Sequence, residues 1–459
     1  MQHQNSTIAA IATAHGVSAI GIVRLSGADA ITVVDRIFRS RRGHKLADVT
    51  SGTILRGYVV GEDSEPLDEC LAIAQRAPHS YTGEDTVELQ GHGSPTALAE
   101  ILRLVYANGA RPAAAGEFTK RAFLNGQLDL TQAEAVIDVI EAETVGAVKN
   151  AAAQLGGAIA RRIDSGYSEL LNIAAHFHAT VDYPDEDIDE FRAAEYVAVL
   201  NQLEGSLREL SATFARGQVL KSGIAVAIVG RPNAGKSSLL NALVGFDRAI
   251  VTSTPGTTRD TIEERVVLGG TLTRLVDTAG MRTTDNEAEA EGVLRARRAA
   301  QEAELVLAVF DGSQPLTAED FEVVENIKNS ASIVGVVTKT DLGTLIDTAK
   351  LDCNFSRLLH VSSETGDGLA ELSAAIAEAL PKFPSAQTGE IITNARQAEA
   401  VNRAAEFVRT AAEALRLGFT PDAALVELEG ALESIGEIVG RNMREDTISR
   451  IFERFCVGK

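Results

Sequence analysis

The string Gly230-Arg231-Pro232-Asn233-Ala234-Gly235-Lys236-Ser237 sets two glycines, a lysine and a hydroxyl at the spacing that holds a nucleoside triphosphate. The glycines allow a tight loop whose backbone N–H groups face phosphate oxygens at a helix N-terminus. Lys236 would neutralise the β- and γ-phosphates and Ser237 would ligate Mg2+, with Asn233, Ala234, Gly235 and Ser238 completing the cradle. An apolar strand-like run, 224–229, precedes the string and a helical run, 238–245, follows it. That context argues against an incidental glycine-rich turn.

The residues that choose the nucleotide lie further along. Asp277-Thr278-Ala279-Gly280 closes the apolar run 272–276, which puts a carboxylate at a strand tip for Mg2+ and a glycine where backbone must approach the γ-phosphate. Between the two motifs, Thr254-Pro255-Gly256-Thr257-Thr258-Arg259-Asp260 reads as a switch loop, with Thr258 as the Mg2+ ligand and Thr252 beside the nucleotide. Thr338-Lys339-Thr340-Asp341, after the run 333–337, is similar to the element by which GTPases read guanine. A carboxylate at Asp341 accepts from guanine N1–H and N2–H2, a donor pair adenine lacks, and Lys339 would lie along the ring. Thr338 stands where asparagine is usual, so the amide that ties the base site to the phosphate loop is missing. Ser362 and Ser363, behind the run 358–361, complete the base pocket. These elements, in order and each at the end of a strand-like run, predict a GTP-binding α/β domain over 221–383.

Met281 occupies the place where small GTPases put a water-orienting glutamine, and a thioether cannot do that work. A carboxylate among Asp285, Glu287, Glu289 and Glu291 is the substitute, most of that stretch being a solvated loop. Charge between the β- and γ-phosphates also calls for a cation. The Asn233 amide oxygen, with backbone carbonyls from the 252–257 loop, could coordinate a monovalent ion there, with Arg259 and Arg282 as competing cations.

At 459 residues the chain is long enough for about three domains. Residues 1–120 alternate strand-like and helical runs, an α+β pattern, whereas 121–220 and 384–459 read as helical. The expected fold class is multidomain: an α+β N-terminal domain (1–120), a discontinuous all-α helical domain (121–220 and 384–459), and an inserted α/β P-loop GTPase domain (221–383). No run of about 18 apolar residues and no secretory pattern occur, and three scattered cysteines make neither a disulfide framework nor a zinc site, so a cytoplasmic, non-membrane protein is expected. A net charge of −21 opposes non-specific attraction to nucleic acid, so any RNA contact needs a local basic patch. Arg39, Arg41, Arg42 and Lys45 form the densest one, more readily read as a solvated loop. The acidic run 182–190 reads as a solvent-facing helix start.

Tyr81-Thr82-Gly83-Glu84-Asp85, Glu88-Leu89-Gln90-Gly91-His92-Gly93, the string Gly116-Glu117-Phe118-Thr119-Lys120-Arg121-Ala122-Phe123-Leu124-Asn125-Gly126 and the tail Phe455-Cys456-Val457-Gly458-Lys459 carry a further resemblance. Together with the domain order, they resemble the MnmE (TrmE) family of tRNA-modification GTPases over essentially the whole chain. The resemblance implies a potassium-stimulated GTPase that forms a homodimer through its GTPase domains, with K+ held by Asn233 and the backbone of Thr252, Thr254 and Thr257 and with Glu289 catalytic. It further implies a flavoprotein partner, MnmG, and tRNA as substrate, an aminomethyl-type group being installed at C5 of the wobble uridine. A 5-formyl-tetrahydrofolate site is implied in the N-terminal domain, where Arg24 and Glu88 match folate-contacting positions and Lys459 reaches in from the tail. Gln127 stands where some relatives have lysine and cannot pair with folate carboxylates as lysine does. Cys456, beside that site, invites a thiol role.

The competing reading is a regulatory switch GTPase of the ribosome-assembly kind, which binds RNA without modifying it. Such proteins usually append a small basic domain. Here the GTPase domain is instead embedded in an acidic helical scaffold, and folate binding would separate the two readings.

Overall fold

The computed structural model of the chain describes residues 6–182, 193–246, 263–277, 300–301, 303–330, 332–351, 353–379, 388–441, 448, 451–453 and 455–458. The architecture is multidomain, and the chain divides into two compact units: 1–137 with 154–201 and 406–459, and 138–153 with 202–405.

The first unit holds strands β1 (Ile8–Ile11), β2 (Ser18–Ser26), β3 (Phe38–Ser40), β4 (Ile54–Val60), β5 (Pro66–Gln75), β6 (Thr86–Gly93) and β7 (Arg111–Pro112), in the order β3-β4-β5-β6-β2-β1-β7. Alternation sends Val23, Leu25, Leu55, Val59, Val87 and Leu89 to one face, where they pack with Val34, Ile37, Ile101 and Leu104 from the helices Ala30–Ile37 and Pro95–Ala107. Each such side chain contributes about 1.5–3 kcal/mol on full burial. Gly21 is required by that packing, because a Cβ there would lie 2.4 Å from a Leu98 methyl. Strand β5 escaped the sequence reading. Its acids Asp68 and Glu69 interrupt the first half, and its buried positions are the small residues Cys70, Ala72 and Ala74, a weak signal.

In the same unit the helices Ala158–Asp182 and Pro421–Val439 pack together. Ile159, Ile163, Leu170 and Phe177 face Leu425, Leu428, Ile435 and Ile438 at helical spacing, all buried. Gly440 ends the second helix in the left-handed conformation at φ 84°, and Arg441 pairs with Asp164 at 3.0 Å. No helix of the described residues is long and apolar enough to cross a membrane.

The second unit holds β8 (Ile224–Val229), β9 (Glu263–Leu268), β10 (Thr271–Asp277), β11 (Leu305–Asp311), β12 (Ile333–Thr338) and β13 (Arg357–His360), ordered β13-β12-β11-β8-β10-β9. All neighbours are parallel except β9 on β10. The near-continuous apolar runs of β8, β11 and β12 are those of strands covered on both faces. The helices Lys236–Phe246 and Leu369–Ala379 supply one cover and Ala318–Ile327 the other. Parallel strands carry their carboxyl ends to one edge, so loops more than a hundred residues apart in sequence meet there.

Candidate nucleotide and N-terminal sites

The carboxyl end of β8 runs into Gly230, where a Cβ would stand 2.4 Å from the Val309 carbonyl oxygen of β11. Asn233 (φ 60°) and Gly235 (φ 95°) then take left-handed conformations that curl the loop before the helix Lys236–Phe246 begins. Asparagine tolerates that conformation better than most side chains. Lys236 is 6% exposed and donates to the carbonyls of Gly230 at 2.7 Å and Arg231 at 2.8 Å. Its ammonium therefore lies folded over the loop at the positive end of the helix, and both features favour an anion.

The base loop docks on the phosphate loop through main-chain acceptors. The Thr338 hydroxyl, 1% exposed, lies 2.6 Å from the Ala234 carbonyl oxygen and 3.1 Å from that of Phe310. This corrects the expectation that losing the asparagine amide loses the tie: the shorter threonine donates to the phosphate loop from the end of β12. Lys339 (φ 57°) donates from Nζ to the Asn233 carbonyl at 2.8 Å and to Asp311 Oδ2 at 2.7 Å. The Ser362 hydroxyl donates to Asp341 Oδ1 at 2.6 Å and fixes the direction of that carboxylate, and Ser363 follows in the same turn.

Sequence reasoning missed Asp311 and Arg231. Asp311 closes β11 at 3% exposure; burial pushes its carboxyl up, but the Lys339 ammonium and two bonds from Ser313 outweigh that and hold it below the usual carboxylate range. Arg231 reaches Gln314 Oε1 at 3.1 Å, with its Nε 3.3 Å from Asp320 Oδ1. An acid ending a wholly apolar strand run at this sheet edge was the available signal.

Ser237 and Ser238 lie in the first turn of the helix Lys236–Phe246, and Asp277 closes β10 in parallel register with Ile228 of β8. A serine hydroxyl and an aspartate are the hard oxygen donors that Mg2+ prefers. No cluster of three or more His, Cys, Asp or Glu able to hold a metal ion occurs among the described residues. Thr252, Thr254, Thr257, Thr258, Arg259, Thr278, Ala279, Gly280, Met281, Arg282, Glu289 and Lys459 lie outside the described residues.

In the first unit the antiparallel register of β2 on β6 sets Arg24 against Glu88. Arg24 Nε donates to Glu88 Oε1 at 2.9 Å, and the guanidinium lies 5.7 Å from the Tyr81 ring and 5.8 Å from that of Phe118. The tail crosses the same place: Gly116 N–H donates to the Cys456 carbonyl, Val457 bridges Ala115, and the Gly458 carbonyl lies 3.5 Å from Arg24 Nη1. Gly458 is left-handed at φ 99°, and a Cβ there would stand 2.4 Å from the Ile11 carbonyl oxygen. Gln127 is exposed and packs by Gly83, whose Cβ position is 3.2 Å from its Nε2. Cys456 is exposed, while burial pushes the Cys70 thiol up to about 12. In the basic stretch Arg41 is held by Tyr58 and by Glu69 at 2.7 Å, as a surface charge would be.

Residues 130–456 match the family model of the MnmE helical domain, and residues 7–127 match that of the GTP-binding protein TrmE N-terminus. The chain is 43% identical to the tRNA modification GTPase MnmE of Symbiobacterium thermophilum, the alignment covering 99% of each. It is 39% identical to the MnmE of Alkaliphilus metalliredigens and 40% identical to that of Thermoanaerobacter pseudethanolicus, again over 99% of each chain.

Proposed function

This chain belongs to the MnmE family of tRNA modification GTPases, and we propose that it couples GTP hydrolysis to modification at C5 of the wobble uridine of tRNA. The observation that supports the reading is the docking of the base loop on the phosphate loop by Thr338 and Lys339, which brings the proposed base and phosphate contacts to one edge of the sheet. At that edge Asn233, Ala234, Gly235, Lys236, Ser237 and Ser238 cradle the phosphates. Lys339, Asp341, Ser362 and Ser363 hold guanine. Asp341 accepts from the donor pair on the base while Ser362 keeps it aimed. Thr252, Thr278, Ala279 and Gly280 complete the nucleotide contacts. Ser237, Thr258 and Asp277 are the residues to hold Mg2+, which when bound neutralises charge on the phosphate oxygens.

In the same proposal K+ is held by Asn233 with the backbone of Thr252, Thr254 and Thr257, and Glu289 positions the attacking water. The place of Asn233 in the loop just before the helix Lys236–Phe246 supports the first part, since an amide oxygen there is a hard donor beside the phosphate cradle. The active form is a homodimer working with the flavoprotein MnmG. The Arg24–Glu88 surface under the tail, with Gln127 and Lys459, is the proposed place for 5-formyl-tetrahydrofolate, and the exposed Cys456 of the same tail is proposed for a thiol role.

Steady-state GTP hydrolysis in matched potassium and sodium buffers at equal ionic strength tests this. The expected result is stimulation by potassium alone, abolished in Asn233→Ala with GTP still bound. Equal, slow rates in both salts would sink the cation site, and an Asn233→Ala enzyme still stimulated by potassium would move it elsewhere.

A further inference from the structure

Strand β11 delivers Asp311 to the edge where the phosphate and base loops meet, and its carboxylate is saturated there by groups from different segments. Oδ2 accepts from Lys339 Nζ at 2.7 Å. Oδ1 accepts from the Ser313 N–H at 3.0 Å and hydroxyl at 2.6 Å. Arg231 Nη2 of the phosphate loop stands 3.8 Å from Oδ2. Lys339 does not stop at Asp311, because the same ammonium donates to the Asn233 carbonyl at 2.8 Å. An ammonium has three donors on a flexible stem, so one bond leaves it free to swing and two opposed bonds fix it. A buried carboxylate that stays ionised is the strongest acceptor available for the second bond.

We infer that Asp311 is a positioning residue for the guanine nucleotide, holding Lys339 so that its stem lies along the base while its ammonium locks the main chain of Asn233. Asp311 touches no nucleotide in this account and acts through Lys339. The inference rests on the guanine-nucleotide reading of the pocket. It adds that the lysine joining base binding to the phosphate loop is itself held by a side chain that no part of the nucleotide motif includes. Gly312 strengthens the join: its N–H donates to the Thr338 carbonyl at 2.9 Å, and a Cβ on it would lie 2.7 Å from that oxygen.

The test is a double-mutant cycle on the full-length protein, read as the release rate of a fluorescent GDP. Asp311→Asn keeps the size of the side chain and removes its charge, and it is expected to speed release about tenfold, within the range for partners in one hydrogen-bonded network. In a Lys339→Ala background the same change is expected to add less than about twofold, because its route is already cut. Equal acceleration in both backgrounds would make Asp311 a general stabiliser and overturn the inference, as would no acceleration in the native background. Should Asp311→Asn fail to fold, Ser313→Ala carries the test: it loosens the carboxylate from its other side, and its smaller acceleration must likewise vanish in Lys339→Ala, persistence there overturning the inference. A native protein that takes up no GDP overturns the nucleotide reading and this inference together, whereas GDP binding with an additive cycle overturns the inference alone.

Discussion

Around the phosphate loop, charged and hydroxyl side chains reach across to main-chain oxygens: Lys236 to Gly230 and Arg231, Thr338 to Ala234, Lys339 to Asn233. On the sheet of β2 and β6, side chains reach each other instead, Arg24 pairing with Glu88 and His92 with Asp68. An anchor on backbone fixes a loop whatever side chains that loop carries. A pair of side chains cancels its own charge and reads, in sequence, like any surface pair. The first arrangement joins segments more than a hundred residues apart through main-chain oxygens. The second is neutral as a pair and would have to open, or share its arginine, to take an anion.

Lys236→Ala breaks the comparison at its strongest point. Removing a cation aimed at developing phosphate charge is expected to lower kcat/KM for GTP by about a hundredfold or more. The fold itself should be retained, with the circular dichroism spectrum of the variant matching that of the native protein. A loss smaller than about threefold would show that the loop and helix N-terminus bind phosphate without the lysine.

Thr338→Val sharpens it. The change keeps shape and removes the hydroxyl, so the buried Ala234 carbonyl loses its donor at a cost of about 1–3 kcal/mol. GDP affinity should fall about tenfold by the same reasoning, and Thr338→Asn, which restores an amide donor, should stay near the native value. Unchanged affinity in Thr338→Val would mean that Lys339 alone docks the two loops.

The sequence made the nucleotide site legible because backbone requirements write themselves into short strings: Gly235 must be left-handed and Gly230 must clear Val309. The parallel sheet then guarantees that strings at strand ends converge. What stayed hidden was the support. Thr338 read as a defect because an amide was expected, and only the 2.6 Å contact shows that a hydroxyl at the end of β12 is already close enough. Asp311 read as nothing, since one acid after an apolar run has no spacing to test. In the first unit Arg24 meets Glu88 across 64 residues and the Gly458 carbonyl across 434, so no local pattern carries the site and its assignment came from resemblance. Strand β5 was invisible because its inward residues are small.

The smallest effect expected is at the other end of β6. Asp68 accepts from the His92 N–H at 2.9 Å and lies 2.6 Å from its Nδ1, so the carboxylate holds the backbone and the ring together. The hydrogen bond and charge of Asp68 raise the His92 pKa above its ordinary value, although the ring itself is 75% exposed. A raised folded-state value means that the folded chain binds the proton more tightly than the unfolded chain does. The stabilising contribution is therefore complete below the ordinary imidazole range and is lost as pH rises through the folded-state value. Exposure and salt screen the pair, so the change is small and shrinks with ionic strength. An NMR titration of the His92 ring in native protein and in Asp68→Asn measures it directly: the midpoint should drop to the ordinary range in the variant. The stability gap between the two proteins should narrow on going from acid to alkaline pH. A midpoint that does not move would show that the pair is geometric only, and that side-chain pairing on this sheet carries less electrostatic weight than the Arg24–Glu88 contact implies.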